Sequence, residues 1–180
     1  MIVEKRMTRN PITVHPDTTV IDAQALMRRE KISRLPVVDR NGRLVGIVSE
    51  KDLIYASPSR ASTLDVYEMN FLLSKLTVET VMTKKVITID GDTPVEDAAR
   101  IMVDNDIGGL PVMKGNTLVG IITESDIFKM FLELFGTREK GLRVTLMISE
   151  EKGSLARLTA AIFEHGGNIV STSTFLGEDL

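Results

Sequence analysis

The chain of 180 residues contains no cysteine, which rules out disulfides, thiolate metal sites and cysteine nucleophiles and makes a reducing cytoplasm its natural compartment. It has no tryptophan and 4% aromatic residues, set against nine methionines. Flexible methionine side chains in that number read as core filler, not as ligands of a heme or copper centre. No apolar run approaches the roughly 20 residues that a membrane helix requires, and the N-terminal Met1-Ile2-Val3-Glu4-Lys5-Arg6 is charged almost at once, so a soluble, unsecreted protein with no membrane partner is expected. Charge of a single sign is also missing: 22 basic and 25 acidic residues are interspersed, for a net charge of -3, which disfavours non-specific nucleic-acid binding. His15 and His165 stand far apart with no second ligand at metal-binding spacing, so no metal site is expected. The phosphate-binding Gly-x-x-x-x-Gly-Lys-[Ser/Thr] loop, the dinucleotide Gly-x-Gly-x-x-Gly turn and the His-Glu-x-x-His pair are absent.

What the chain does contain is a repeat. Leu44-Val45-Gly46-Ile47-Val48-Ser49-Glu50-Lys51-Asp52 returns as Leu118-Val119-Gly120-Ile121-Ile122-Thr123-Glu124-Ser125-Asp126. At an offset of 75, Val3-Glu4 matches Val78-Glu79, Met7-Thr8 matches Met82-Thr83, and Leu35-Pro36-Val37 matches Leu110-Pro111-Val112. The offset slips to 74 across a turn, where Asp39-Arg40-Asn41-Gly42 faces the shorter Lys114-Gly115-Asn116, the kind of place where a duplicated unit tolerates a deletion.

Both copies share a local grammar. Ile12-Thr13-Val14 and Val86-Ile87-Thr88-Ile89 are β-branched and read as strands. Asp92-Thr93-Pro94-Val95 opens a helix with Thr93 as N-cap, Pro94 as first helical residue and Glu96 as capping-box partner. Val20, Ala23 and Met27, like Val95, Ala98 and Met102, fall on one helical face. Two strands joined by a hairpin follow, then a helix beginning near Asp52 or Asp126. Each unit is therefore strand, helix, two strands, helix, an α/β (α+β) arrangement.

The paired Met-Thr segments, the Ile-x-x-Leu-Pro-Val segments and the Gly-h-h-[Ser/Thr]-x-x-Asp endings, in order and twice over, resemble a tandem CBS-domain pair. The resemblance implies CBS unit 1 over residues 1–60 and CBS unit 2 over 77–136, packed about a pseudo-two-fold axis with two clefts for adenosine-type nucleotides. Between them, Val66, Met69, Leu73 and Leu76 lie on one face of a connecting helix expected over 61–76, which covers a unit or forms a dimer contact. From 141 to 180, an alternating Leu142–Ile148 strand, a Gly153–His165 helix and an Asn168–Phe175 strand resemble the first half of a ferredoxin-like ACT domain. The second half would have to come from elsewhere, so dimerisation or disorder of this segment is expected. Taken as a whole, the chain is similar to CBS-CBS-ACT proteins of the acetoin-utilisation type.

Ser49-x-x-Asp52 and Thr123-x-x-Asp126 suit a capping box, which by itself stabilises a first turn by about 0.5 to 2 kcal/mol. The same carboxylate at a strand-to-helix junction can also accept ribose hydroxyls, the role the CBS resemblance implies for it. Carried over residue by residue, the resemblance builds cleft 1 from Arg34, Ser49, Lys51 and Asp52 with Thr83, Ile87, Ile107 and Gly108. Cleft 2 takes Thr123, Asp126 and Gly109 with Thr8, Ile12, Ile32 and Ser33. Arg34 and Lys51 make the first cleft the better site for a multiply charged nucleotide, leaving AMP or an uncharged adenosine compound to the second.

AMP, ADP, ATP or S-adenosylmethionine are the implied regulatory ligands, and no cofactor is required. A homodimer, a partner enzyme and an amino acid at a complete ACT domain are the further partners implied. Glu50 and Glu124 could be imagined as general bases, but no nucleophile or electrophile stabiliser accompanies them, so an enzyme is not expected. The alternative to a sensor is a module whose clefts are vestigial and which only dimerises or docks on a metabolic enzyme.

Overall fold

The computed structural model describes residues 1–56, 75–137, 139–149 and 151–174. They divide into two compact units, Met1–Asp126 and Ile127–Leu180. The expected connecting helix lies almost wholly in 57–74, outside the described residues. No helix among the described residues is long and apolar enough to cross a membrane.

In the first unit a short 3-10 turn (Val3–Lys5) precedes β1 (Thr8–Arg9), α1 (Val20–Glu30), β2 (Arg34–Val38), β3 (Leu44–Ser49) and α2 (Glu50–Tyr55). The second copy follows as α3 (Val78–Val81), β4 (Ile89–Asp90), α4 (Val95–Asp104), β5 (Gly109–Lys114), β6 (Thr117–Thr123) and the start of α5 (Glu124–Leu134). Helix α1 begins where Thr19 Oγ1 accepts the Asp22 N–H at 3.1 Å. It buries Val20, Ala23 and Met27 on the face expected of a 3.6-residue period. It ends at Lys31 in the left-handed region, φ 55°, and Asp106 after α4 does the same at φ 52°.

The two hairpins match in register. β2 and β3 run antiparallel with Arg34 opposite Ser49, and β5 and β6 with Gly109 opposite Thr123; each ladder shifts once, at Val37/Val38 and at Val112/Met113.

Three local expectations are corrected. Residues 12–14 form no strand: Val14 alone bridges Val37, with its N–H donating to the Pro36 carbonyl and its own carbonyl accepting from Val38. Likewise β4 is only Ile89–Asp90, parallel to β5. At α4 the N-cap is Pro94, which has no side-chain acceptor, instead of Thr93. The Thr93 carbonyl accepts from Val3, and the Val95 N–H donates to the Met1 carbonyl, 2.9 Å each. Backbone from the chain's start thus supplies the cap that a side chain was expected to supply.

That contact belongs to a reciprocal exchange. β1, from the first copy, pairs with β6 of the second, completing a sheet ordered β1-β6-β5-β4. In return Thr83 exchanges both backbone hydrogen bonds with Ile47 of β3, at 2.9 and 3.0 Å. Val78, in the second copy's sequence, is fully buried in a core of Val14, Val20, Ala23, Met27, Leu35, Val37, Val48 and Leu53. Its repeat equivalent Val3 is also fully buried, on a segment hydrogen-bonded to Gly91 and Thr93. Gly46 and Gly120 admit this exchange, because a Cβ at either would overlap the sulfur of Met82 or of Met7, respectively.

In the second unit α6 (Ser154–Glu164) follows Gly153, φ 86°, and buries none of its residues. Neither 142–148 nor the described part of 168–175 forms a strand. A strand exists only by hydrogen-bonding to a neighbour, and these segments do not pair with each other. The partial ACT fold expected over 141–180 therefore reduces, among the described residues, to its helix.

Candidate functional site

Two strand-to-helix junctions carry the candidate carboxylates, and they are built alike. At the end of β3 the Ser49 N–H and Oγ–H both donate to Asp52 Oδ2, at 2.8 and 2.7 Å, and the Asp52 N–H donates back to Ser49 Oγ at 3.2 Å, closing a capping box. At the end of β6 the Thr123 N–H and Oγ1–H donate to Asp126 Oδ2 at 2.9 and 2.8 Å. The first helical N–H of each junction is taken by the residue just before the neighbouring strand: Glu50 donates to the Ser33 carbonyl at 2.9 Å and Glu124 to the Gly108 carbonyl at 3.1 Å. A carboxylate offers about four lone-pair directions over two oxygens. At Asp52 both described acceptor contacts fall on Oδ2, so one group can cap the helix and still receive hydroxyls of a ligand through Oδ1.

The exchange of segments decides what stands beside each carboxylate. Thr83 is opposite Ile47, two residues before Ser49 and on the same face of β3. Thr8 is opposite Ile121, two residues before Thr123. The structure thus brings Thr83 of cleft 1 to the Asp52 junction and Thr8 of cleft 2 to the Asp126 junction, each from the other repeat. Ile12 and Ile87 are exposed at 39%, while Ile32 and Ile107 are half-buried. Ile32 and Ile107 occupy the turns after α1 and α4, where their N–H groups donate to Met27 and Met102. No described hydrogen bond ties these four isoleucines to either carboxylate.

Ser33 and Gly108 are placed differently from the expectation. Ser33, assigned to cleft 2, lines with Arg34, Ser49, Glu50 and Lys51 a shallow recess of about 160 Å³ at the cleft 1 junction. This follows from the register, since Arg34 is opposite Ser49. Gly108, assigned to cleft 1, gives its carbonyl to Glu124 at the cleft 2 junction, yet its α-carbon also faces Arg34. Gly109 lies opposite Thr123, at the Asp126 junction. Lys51 is exposed at the start of α2.

Arg34 links the two junctions. Its side chain is 23% exposed and its Nη2 lies 3.8 Å from Glu124 Oε2, while Nη1 donates to Ser33 Oγ at 3.2 Å. A Cβ at Gly108 would overlap both the guanidinium and the Glu124 carboxylate, and one at Gly109 would stand 3.0 Å from Arg34 Cδ. The role of Glu124 as the partner of Arg34 was missed by sequence reasoning. The signal available was the repeat alignment, in which Ser33-Arg34 matches Gly108-Gly109: a long cation in one copy faces two glycines in the other.

His15 Nδ1 lies 3.0 Å from the Val38 carbonyl and His165 Nδ1 2.9 Å from that of Ala161. Among the described residues no group of side chains is arranged to hold a metal ion.

The model of the CBS domain matches residues 3–59 and 78–133. An uncharacterised protein of Methanocaldococcus jannaschii, MJ1404, is 35% identical over 93% of this chain, and the chain spans 42% of that relative's length. Among solved structures, the CBS domain pair of MJ0100 in complex with 5′-methylthioadenosine and S-adenosyl-L-methionine is similar with a TM-score of 0.62 and 31% identity over 77% of this chain and 98% of that one. CBSX2 in complex with AMP has a TM-score of 0.60 and 34% identity over 74% and 98%. The Vibrio cholerae protein AcuB, assigned to acetoin utilization, has a TM-score of 0.63 and 33% identity over 79% and 98%.

Proposed function

Because the chain belongs to the CBS-domain family, we propose that it is a non-catalytic regulatory protein whose paired CBS units sense an adenine nucleotide or an S-adenosyl compound. The observation that carries the reading is the duplicated junction: a hydroxyl and a carboxylate bonded across a strand end, each beside a threonine delivered by the other repeat. A ligand held between residues of both repeats prefers one relative arrangement of them, and only such a preference transmits a signal. The complexes of MJ0100 with S-adenosyl-L-methionine and 5′-methylthioadenosine and of CBSX2 with AMP support this choice of ligand class.

Asp52 and Asp126 receive the ribose, Thr83 and Thr8 stand beside them, and the exposed isoleucines Ile87 and Ile12 supply apolar wall for the base. Arg34 and Lys51 favour phosphate at the first cleft. The signal passes to a homodimer partner or to a metabolic enzyme, and the likeness to AcuB makes acetoin utilisation one setting for it. An amino-acid site would need a complete ACT-like domain, so the reading places sensing in the CBS clefts.

The test is calorimetric titration of the intact chain with AMP, ADP, ATP and S-adenosylmethionine, repeated on Asp52→Asn and Asp126→Asn, which keep one acceptor oxygen for the helix cap. Binding lost with one substitution supports the sensor and identifies its cleft. No binding by any ligand to the folded protein refutes it in favour of a dimerisation or docking module.

A further inference from the structure

The two clefts are not equivalent, and the difference is concentrated in one ion pair. Arg34 from β2 and Glu124 from α5 meet over Gly108, with Nη2 and Oε2 3.8 Å apart. Their repeat equivalents are Gly109 and Glu50, so the equivalent pair keeps the carboxylate but replaces the guanidinium with a glycine, and Glu50 instead lines the recess beside Arg34. Among the described residues Glu50 makes no ion pair.

The two partners are held unequally. Arg34 is 23% exposed, donates to Ser33 Oγ and lies over Gly108 and Gly109, whereas Glu124 is 58% exposed at the first position of its helix. A separation of 3.8 Å is too long for a direct hydrogen bond, so the five guanidinium donors are far from saturated. An incoming phosphate could form the bidentate contact that Glu124 does not form, while the glutamate turns to water at small cost.

We propose that Glu124 is a competitor for Arg34 that a ligand phosphate displaces, so that this pair sets the preference of the site between phosphate-bearing and phosphate-free adenosine compounds. The proposal rests on the ligand-sensing reading above and adds to it the device that discriminates. In the absence of an anion Glu124 keeps Arg34 paired. Binding of a phosphate therefore breaks a contact between the two repeats, whereas binding of a neutral or sulfonium compound leaves it in place. Ligands of the two kinds thus leave the module with different links between its halves.

The test is calorimetry of the full chain with AMP, adenosine and S-adenosylmethionine on wild type, Glu124→Gln, Arg34→Gln and the double variant, each checked for folding by thermal melting. Glu124→Gln is expected to tighten AMP by about 2- to 5-fold, the worth of a surface ion pair, and to leave the two phosphate-free ligands within error. Arg34→Gln weakens AMP alone, and in its background the gain from Glu124→Gln shrinks. An AMP affinity that does not change relative to the phosphate-free ligands in either single variant overturns the proposal while the sensor reading stands. Failure of the folded wild type to bind any of the three overturns both.

Discussion

Val78→Ala tests the exchange of segments between the repeats. By sequence Val78 opens the second copy, but its side chain is fully buried among Val14, Val20, Ala23, Met27, Leu35, Val37, Val48 and Leu53 of the first. Truncation removes two buried carbons, about 1.6 kcal/mol of transfer free energy at roughly 0.8 each. A residual cavity of up to about 50 Å³ adds up to about 1.2 kcal/mol at roughly 24 cal/mol per Å³. The loss should lie between about 1.5 and 3 kcal/mol, or very roughly 5 °C in Tm or more for a body of this size. Hydrogen exchange read by mass spectrometry locates the damage. Protection should fall more in α1, β2 and β3 than in α4, β5 and β6, although the altered residue belongs to the second repeat. Val3→Ala should give the reverse, because its segment is hydrogen-bonded to Gly91 and Thr93. Equal losses in both halves, or losses confined to the repeat that carries the substitution, would refute the exchange.

Three further outcomes are expected. Gly120→Ala places a methyl on the Met7 sulfur and should cost about 1 to 3 kcal/mol by overpacking; urea unfolding of a double-mutant cycle with Met7→Ala should show a favourable coupling between the two changes, and additive losses would argue against the contact. Lys31→Gly removes the penalty of a left-handed non-glycine residue, φ 55°, and should raise stability by about 1 kcal/mol, seen as a higher Tm; a fall would mean that the Lys31 side chain contributes more than its backbone costs. The third concerns pH. The backbone N–H of Arg43, together with that of Asn41 and the Arg43 charge, holds the Asp39 carboxyl below the ordinary aspartate value of 3.8, so the folded hairpin prefers the carboxylate. Its stabilisation is therefore complete above that value and is lost as pH falls through the lower folded one. The Tm difference between wild type and Asp39→Ala should stay constant from neutral pH down to about pH 5 and shrink below it; a difference that widens on acidification would contradict the assignment.

Much of the local architecture was legible because local forces write it. Helix α1 follows from the spacing of Val20, Ala23 and Met27, and both hairpins follow from apolar runs joined across polar turns. The two capping contacts follow from a hydroxyl and an aspartate three residues apart, since a bond spanning three residues needs no knowledge of the rest of the chain. Elements that depend on a distant partner were misjudged. Thr93 lost the cap of α4 to the Met1 carbonyl, residues 12–14 shrank to one bridge at Val14, and residues 142–148 alternate as a strand does but find no edge to join.

By itself the sequence determined that the chain is duplicated, that each copy holds a helix, a two-stranded hairpin and a second helix, and that each hairpin ends in a hydroxyl–carboxylate junction. Periodicity and short-range hydrogen bonding suffice for that. The family resemblance implied that Thr8 and Thr83 change sides, but only the tertiary structure decided that they do so by backbone pairing to the other repeat's strand and that Arg34 reaches across Gly108 to Glu124. Those pairings join residues about 36 to 113 positions apart, and a backbone amide or a guanidinium carries no local mark of which distant carbonyl or carboxylate it will meet. The choice is made by which chain segments the buried apolar surface draws together, and that is a property of the whole fold.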